Sequence, residues 1–357
     1  MANDYDVELR IFSTPFLRGG AILLMAFAAW AMFWLGDYWL SVANFAAIAA
    51  IAVIGLNVVS GDAGQISLGH AVFVGAGAYT AGWLGTDHGW PFPAVVIAGG
   101  VIAAAFSLLV GPLALRLRGL YLAFSTLALV FVGQHLLLNL DGITGGGAGR
   151  AISSPSLFGT KMSEDATWLG IDLTSDQKWF VVLAASVAVI ALAIRNLQRT
   201  RIGRAFNSVR DQDIAASTIG IHVSRVKTQA FVLSAFIGGM AGAFYGSYIR
   251  FVNPATFGLL LAVQYLAMAV VGGLGSVSGG ILGALFITAI PRVIDEWGHG
   301  LPFVTTDLAS QRGLTPELLS SVIYGAVVIG FLIFEPAGIT GIWRRVKAYL
   351  RSWPFRY

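Results

Sequence analysis

Residues 195–227 read RNLQRTRIGRAFNSVRDQDIAASTIGIHVSRVK and form the only long polar, basic segment between strongly apolar runs of this chain. Short segments rich in Lys and Arg are typical of the cytoplasmic loops of membrane proteins, because positive charge is retained on that side of the bilayer. We therefore predict an exposed cytoplasmic loop over 196–226, with membrane spans before and after it.

The composition agrees with a chain that lies in a bilayer. Hydrophobic residues make up 57% of the 357 residues, and charged residues only 11%, with a mean hydropathy of +0.77; a soluble domain has about 25% charged residues. The net charge of +4 resides in a few short segments between apolar runs, which indicates membrane topology and no nucleic-acid binding. The chain has no cysteine, which excludes disulfides, thiolate nucleophiles and Cys-ligated zinc.

A helix needs about 20 mostly apolar residues to cross the hydrocarbon. The apolar runs predict one all-α domain over 1–357, a polytopic transmembrane helix bundle, and the first run is read as a retained span because no small-residue cleavage site follows it. The runs at 65–84 and 258–274 are short and rich in glycine and are the least secure spans. If two adjacent runs form a re-entrant hairpin, the charge asymmetry is kept with two spans fewer, so the sequence predicts about 8–10 spans. The predicted spans are 20–36, 40–60, 65–84, 92–115, 119–139, 178–195, 227–249, 258–274, 277–294 and 318–335.

The distribution of charge orients these spans. If each run crosses once, most Lys and Arg fall on the side of the 196–226 loop, and most Asp and Glu fall on the other side. This asymmetry predicts that both termini are cytoplasmic. The longest polar segment on the outer side, 140–177, is rich in Gly, Ser and Thr, which is compatible with a partner-binding loop and equally with a plain flexible loop.

Two segments predict interrupted helices. Residues 55–70 (GLNVVSGDAGQISLGH) place Asn57, Gln65, Ser67 and His70 among glycines near membrane depth, where polar side chains must face protein or a water-lined cavity. Residues 270–280 contain five glycines, Gly272 and Gly273 among them, which weaken a helix. We predict a translocation pathway beside both segments; the alternatives are a tight turn with satisfied polar groups and, for His70, a packed histidine.

Three ordered matches carry a family resemblance. Residues 55–82 (GLNVVSGDAGQISLGHAVFVGAGAYTAG) resemble the signature of the inner-membrane permeases of branched-chain amino acid ABC importers, specifically the LivM-like subunit. Residues 199–221 resemble the cytoplasmic loop of that family, and residues 268–284 (MAVVGGLGSVSGGILGA) its late glycine-rich hairpin.

The resemblance implies a set of partners. They are two cytoplasmic ATP-binding subunits, a second related permease that completes a heterodimer, and an extracytoplasmic solute-binding protein, all at a bacterial or archaeal plasma (inner) membrane with its lipid. No cofactor would be bound by this chain, since ATP and Mg would sit on the partner subunits. Transport by alternating access would follow, for branched-chain or other hydrophobic amino acids.

The same resemblance assigns a coupling helix to the loop. Importer permeases carry a Glu-Ala-Ala-x-x-x-Gly motif on a short cytoplasmic helix, and here Ile214 stands where the family has Glu. Small residues let such a helix enter a groove on the ATPase, and an apolar Ile214 could pack there in place of the charge. The residues predicted to couple to the ATPase are Gly203, Arg204, Arg210, Asp211, Ala215, Ala216 and Gly220.

Catalytic chemistry finds no support in the sequence. The chain has no G-x-x-x-x-G-K-[ST] motif to cradle ATP phosphates and no H-E-x-x-H motif or similar metal-ligand spacing. We therefore expect no enzymatic activity, no catalytic residue and no metal. Two alternatives remain, a permease of the same family for urea, short amides or aromatic acids, and an ion-coupled secondary transporter, for which Asp62 would be the one nearby acid.

Overall fold

The computed structural model describes residues 32–114, 119–168, 171–298, 316–335 and 337–352. The predicted span at 20–36 lies outside these residues except for its last five positions. The basic residues Arg10, Arg18, Arg116 and Arg118, on which part of the orientation argument rests, lie outside them as well.

Helices dominate the described part of the chain, as the apolar runs predict. Five of them are long and apolar enough to cross a membrane by length and composition, and three shorter helices are strongly apolar. In chain order the helices are α1 (Asp37–Asn57), α2 (His70–Thr80), α3 (Phe92–Ala114), α4 (Leu120–Asn139), α5 (Asp141–Thr144), α6 (Ser175–Arg199), α7 (Arg201–Asp211), α8 (Asp213–Thr218), α9 (Val223–Ile249), α10 (Leu259–Gly272), α11 (Val277–Gly298), α12 (Pro316–Phe334) and α13 (Gly338–Ser352).

Short strands organise the segment between α5 and α6, which the sequence offered as either a binding loop or a flexible one. Three antiparallel ladders form there: β1 with β6, β2 with β3, and β4 with β5. The first ladder ties this segment to the chain just after α9. The strands are β1 (Arg150–Ala151), β2 (Ser156–Leu157), β3 (Thr160–Lys161), β4 (Ala166–Trp168), β5 (Ile171–Leu173) and β6 (Phe251–Val252).

The bundle has two ends, which we call the arm face and the hairpin face. The arm face carries α7 and α8, together the arm (residues 201–218), and the hairpin face carries the strands. Helix α1 runs between them: Asn44 near its start donates to the carbonyl of Asp176 at 3.1 Å, at the beginning of α6. At its far end, the carbonyl of Gly61 accepts from Arg210 of the arm at 3.3 Å.

The two doubtful spans also run from one face to the other. After α2, a π-helical turn (Ala81–Asp87) reaches the hairpin face, where the Thr86 hydroxyl accepts from the backbone N–H of Ser153 at 3.0 Å. Helix α10 starts at the hairpin face after β6 and ends where Gly275 meets Gly61. Within the described ranges, both glycine-rich runs therefore extend from one face of the bundle to the other.

Helix α9 lies at the centre and packs against α1, α2 and α3. Its glycines allow this: a Cβ on Gly239 would overlap the carbonyl of Gly99, and one on Gly242 would overlap the carbonyl of Val74. Without a hydrophobic driving force between helices in lipid, close backbone approach supplies van der Waals attraction. The small residues of this helix therefore serve tight packing, as their spacing predicts.

Candidate functional site

The interruption after α1 is a π-helical turn, Val58–Asp62, followed by irregular backbone up to Gly69. Asp62 is buried, and both of its carboxylate oxygens accept from the side-chain amide of Gln198 at 3.0 Å. A buried carboxylate is stabilised by such hydrogen bonds. The polar groups of this break are thus partly satisfied by the end of α6.

Asn57 joins the first break to the second. Its amide nitrogen donates to the carbonyl of Ser276 at 3.1 Å, and its amide oxygen accepts from the backbone N–H of Gly275 at 3.3 Å. Gly61 lies directly against Gly275, where any side chain on Gly61 would overlap backbone atoms. The two segments, 57–64 and 272–280, therefore form one structural unit, the paired break.

The arm contacts the paired break through Arg210. Besides its bond to Gly61, this guanidinium pairs with Asp211 at 3.0 Å, and its aliphatic carbons cover Gly64. Helix α8 is held separately, since Asp213 forms an ion pair with Lys227 of α9 at 3.7 Å. The arm is thus an ordered extension of the bundle, and Arg210 of α7 contacts the break directly.

The remaining predicted coupling residues divide between buried and exposed positions. Gly203 is buried where an added Cβ would meet the backbone of Gln198, and Ala216 is the buried residue of α8. Arg204 is exposed and donates to the carbonyl of Arg199 at 3.1 Å. Ala215 and Gly220 are exposed, and Gly220 has a φ of 87° where the chain turns out of α8.

Two isoleucines, one on the arm and one directly after it, are largely exposed. Ile214 is 67% exposed, and Ile219, just after α8, is 73% exposed. These two side chains make this end of the arm a candidate contact surface. The sequence analysis singled out Ile214 but missed Ile219. The pattern that could have indicated Ile219 is an apolar residue within an otherwise polar loop.

Gln65, Ser67 and His70 lie after the first break, and all three are buried. Neither amide atom of Gln65 has a partner among the described residues. His70 packs against Gly238 and, edge to face, against Tyr265, with its Nδ1 3.4 Å from the hydroxyl of Ser234. His70 is thus packed inside the bundle, its Nε2 is buried without a partner among the described residues, and its role in a pathway stays a prediction.

Gly272 and Gly273 sit at the end of α10. Gly272 packs on the backbone of Gly279, and Gly273, with a φ of 108°, faces Thr340 of α13. The structure thus brings Asn57, Gly272 and Gly273 to one end of the bundle and leaves His70 buried at the start of α2. In the part of the chain that the structure describes, no cluster of three or more His, Asp or Glu could hold a metal ion.

Sequence reasoning missed a cavity between α1, α9, α10, α11 and α12. It lies on the hairpin side of the paired break. Its volume is about 350 Å³, within the range of roughly 300–1,000 Å³ of small-molecule sites. Aromatic and aliphatic side chains line it, together with Gln264, Thr288 and Arg292. The sequence signal was an arginine placed at the end of an apolar run, which the charge argument assigned to the outer side.

Comparison with known proteins identifies the family. The family model described as the branched-chain amino acid transport system permease component matches residues 38–332. The chain belongs to this family. It is a multi-pass inner-membrane permease and a transport subunit.

Relatives of this permease include both subunit types of one importer. The high-affinity branched-chain amino acid transport system permease protein LivM of Escherichia coli is 31% identical over 332 residues, 89% of this chain and 73% of that protein. LivM of Salmonella typhimurium is 31% identical over 84% of this chain and 69% of that protein. LivH of Escherichia coli is 28% identical over 82% of this chain and 91% of that protein. No solved structure matches.

Proposed function

We propose that this permease is the LivM-like subunit of a binding-protein-dependent importer for branched-chain and other hydrophobic amino acids. The observation that carries the proposal is the similarity to LivM over most of both chains. A second permease resembling LivH would complete the membrane unit, and two cytoplasmic subunits would bind ATP and Mg and hydrolyse the nucleotide. A solute-binding protein would deliver the amino acid from outside.

The arm supports a coupling role. Ile214 and Ile219 project from a surface that also carries Arg204 and Arg210, so an apolar groove with acidic rims on an ATPase would complement it. An apolar side chain in such a groove contributes more binding free energy than a charge at its rim, because water is expelled from around the apolar side chain. In this proposal Ile214 replaces the family's glutamate by packing.

The mechanism follows from the contacts of Arg210. When closure of the ATPase dimer moves the arm, the bond from Arg210 to Gly61 transmits the displacement to the first break. Asn57 passes it to the second break through Gly275 and Ser276. The two interrupted helices then rearrange together, and the solute passes beside them by alternating access.

This assignment places the arm face in the cytoplasm and the hairpin face outside. The chain then enters α7 from the inner end of α6, and both termini lie inside if the span at 20–36 crosses. The strands at 150–173 would face the binding protein.

The test uses the complete importer. The permease, its partner permease and the two ATPases are purified together and placed in proteoliposomes, and ATP hydrolysis and leucine uptake are measured with and without the binding protein. We expect hydrolysis to rise several-fold with the loaded binding protein and uptake to require ATP. A complex whose hydrolysis ignores the binding protein would contradict the proposal.

A permease of the same family for urea, short amides or aromatic acids is the alternative, because the separate binding protein selects the solute. Measuring which of these compounds the neighbouring solute-binding protein binds decides between them. An ion-coupled transporter would keep its uptake after removal of the ATPases. Asp62 gives that alternative little support, since Gln198 already occupies both of its oxygens.

A further inference from the structure

The cavity on the hairpin side of the paired break combines polar groups that make no hydrogen bond or ion pair with the described residues. Arg292 is half-buried on α11, and no hydrogen bond or ion pair joins it to any residue that the structure describes. The hydroxyl of Thr288, one turn earlier, is buried without a partner in the same described part of the chain. Polar groups left unpaired in an apolar environment are costly, and an arginine at such a place in a membrane protein marks a functional site.

The depth of these groups fits a pathway rather than a headgroup region. Helix α11 rises from the paired break at Val277, and at 1.5 Å per residue Arg292 stands roughly 22 Å along it. The hydrocarbon core is about 30 Å thick. If the paired break lies at the inner edge of this core, the cavity lies within the bilayer, in the half nearer the hairpin face.

A proline adds a further acceptor to this cluster. Pro291 lies within α11 and has no backbone N–H, so the carbonyl of Ile287 loses its usual helical partner. Ile287 lines the same cavity. The cluster thus offers a cation at one point and, one turn earlier, a carbonyl and a hydroxyl.

The opposite wall of the cavity is apolar and aromatic. Phe45, Tyr245 and Tyr265 contribute rings, and Ile48 and Met268 contribute aliphatic surface. A guanidinium binds a carboxylate through two parallel hydrogen bonds. A carbonyl and a hydroxyl accept hydrogen bonds from an ammonium group, and the rings suit an apolar side chain.

We propose that this cavity is a transient substrate site, in which Arg292 binds the carboxylate of an α-amino acid, Thr288 and the Ile287 carbonyl accept from its ammonium group, and the aromatic wall receives its apolar side chain. The proposal rests on the proposed function, since it names where and how the amino acid pauses inside the membrane. It differs from that function in predicting that the permease itself, and not only the binding protein, reads the carboxylate.

The experiment substitutes Arg292 in the reconstituted importer. We expect Arg292→Gln to lower leucine uptake at least tenfold while binding-protein-stimulated ATP hydrolysis stays within twofold, because the arm and the paired break are untouched. Arg292→Lys, which keeps the charge but not the paired geometry, should retain an intermediate rate. Thr288→Val, which has nearly the same volume, should lower uptake about threefold to tenfold.

Arg195→Gln is the matched control, a half-buried arginine on another span, α6, and it should leave both rates within twofold. Direct binding of radiolabelled leucine to the purified complex without binding protein gives a second readout. Wild type should bind, leucinol should compete poorly because it lacks the carboxylate, and Arg292→Gln should bind at least tenfold less.

The outcomes separate the two proposals. Equal uptake by Arg292→Gln and wild type would overturn the substrate site and leave the importer standing. Dissociation of the second permease in Arg292→Gln, or loss of a bound phospholipid with unchanged leucine binding, would also overturn it, since Arg292 would then serve an interface or a lipid. Absence of ATP-driven uptake in wild type would contradict the proposed function. The comparison of leucine binding by wild type and Arg292→Gln would then test the substrate site by itself.

Discussion

Asn57 makes two hydrogen bonds across the paired break. Among the described residues, no other side chain forms a hydrogen bond between the two segments. Replacing Asn57 with alanine leaves the Gly275 N–H and the Ser276 carbonyl without that partner, at a cost of about 1–3 kcal/mol for each buried group. We expect a lower thermal unfolding midpoint in detergent and a lower ratio of leucine uptake to ATP hydrolysis in proteoliposomes.

Asn44→Ala is the control for this substitution, because Asn44 is also buried on α1 but bonds the start of α6 at the other face. It should lower the unfolding midpoint to a similar degree and leave the uptake ratio unchanged. An identical uptake ratio in both variants would contradict a special role for Asn57.

Gly61 is the position where one added carbon should do most damage. A Cβ there would overlap the backbone of Gly275, so Gly61→Ala must push the two breaks apart at about 1–3 kcal/mol, the usual cost of overpacking. Gly325 of α12 has no atom within 4 Å of such a carbon, so Gly325→Ala should be neutral. Leucine uptake and the thermal unfolding midpoint of both variants test this prediction. Equal values for Gly61→Ala and Gly325→Ala would contradict it.

Sequence reasoning found the residues of the paired break but not their contacts. Glycines and polar side chains at membrane depth predict interruptions in α1 and α10, because each is individually unfavourable in lipid. That Asn57 would reach Ser276 depends on how α1 packs against α11, which no local pattern encodes. Arg292 was missed for the same reason: its lack of a partner exists only once five helices surround it.

At the scale of elements, the arm makes a direct prediction. Ile214→Lys places a charge where an apolar groove should receive the side chain, and desolvating that charge weakens association by several-fold to a hundredfold. The measurement is the fraction of ATPase subunits that copurify with the permeases. Ile333 of α12, which is 68% exposed, provides the control as Ile333→Leu, which should copurify normally. Normal copurification of Ile214→Lys would refute the groove.

The segment between α5 and α6 is anchored by one lysine. Lys178 is fully buried at the start of α6, and its ammonium donates to the carbonyls of Lys161, at 2.8 Å, and Glu164. Lys178→Met keeps the volume but leaves both carbonyls unpaired, at about 1–3 kcal/mol. Limited proteolysis within 156–168 should become several-fold faster.

Lys161→Met tests the specificity of that effect. Lys161 is exposed and pairs with Glu164 on the surface at 3.1 Å, an interaction worth about 0–1 kcal/mol. Its cleavage rate should match wild type. The sequence suggested this region as either a binding loop or a flexible one, and it could not reveal the order, since β1 pairs with β6 about one hundred residues away.

At the scale of the molecule, the absence of cysteine in the sequence makes the orientation measurable without background. Ser217→Cys on the arm and Ser156→Cys on β2 both replace exposed residues. In intact cells, a membrane-impermeant maleimide should label Ser156→Cys only, and permeabilisation should add Ser217→Cys. The reverse pattern would invert the proposed topology and remove the arm from the ATPases.

The length and hydropathy of the apolar runs predicted the order of the helices well, because hydropathy is a property of each segment alone. The boundaries shifted where caps decide them: α6 begins at Ser175, before the predicted 178, since Thr174 and Gln177 form a capping box. Likewise α2 begins only at His70, because the chain is still irregular between the π-helical turn and Gly69.

The bonds of Asn57 end on main-chain atoms, and this has a consequence for how such permeases diversify. Hydrogen bonds to peptide groups do not depend on the identity of the transported solute, whereas the cavity is lined by side chains. Specificity can therefore evolve separately from the paired break: a new solute requires different lining residues and a different binding protein, while the contacts of Asn57 are retained.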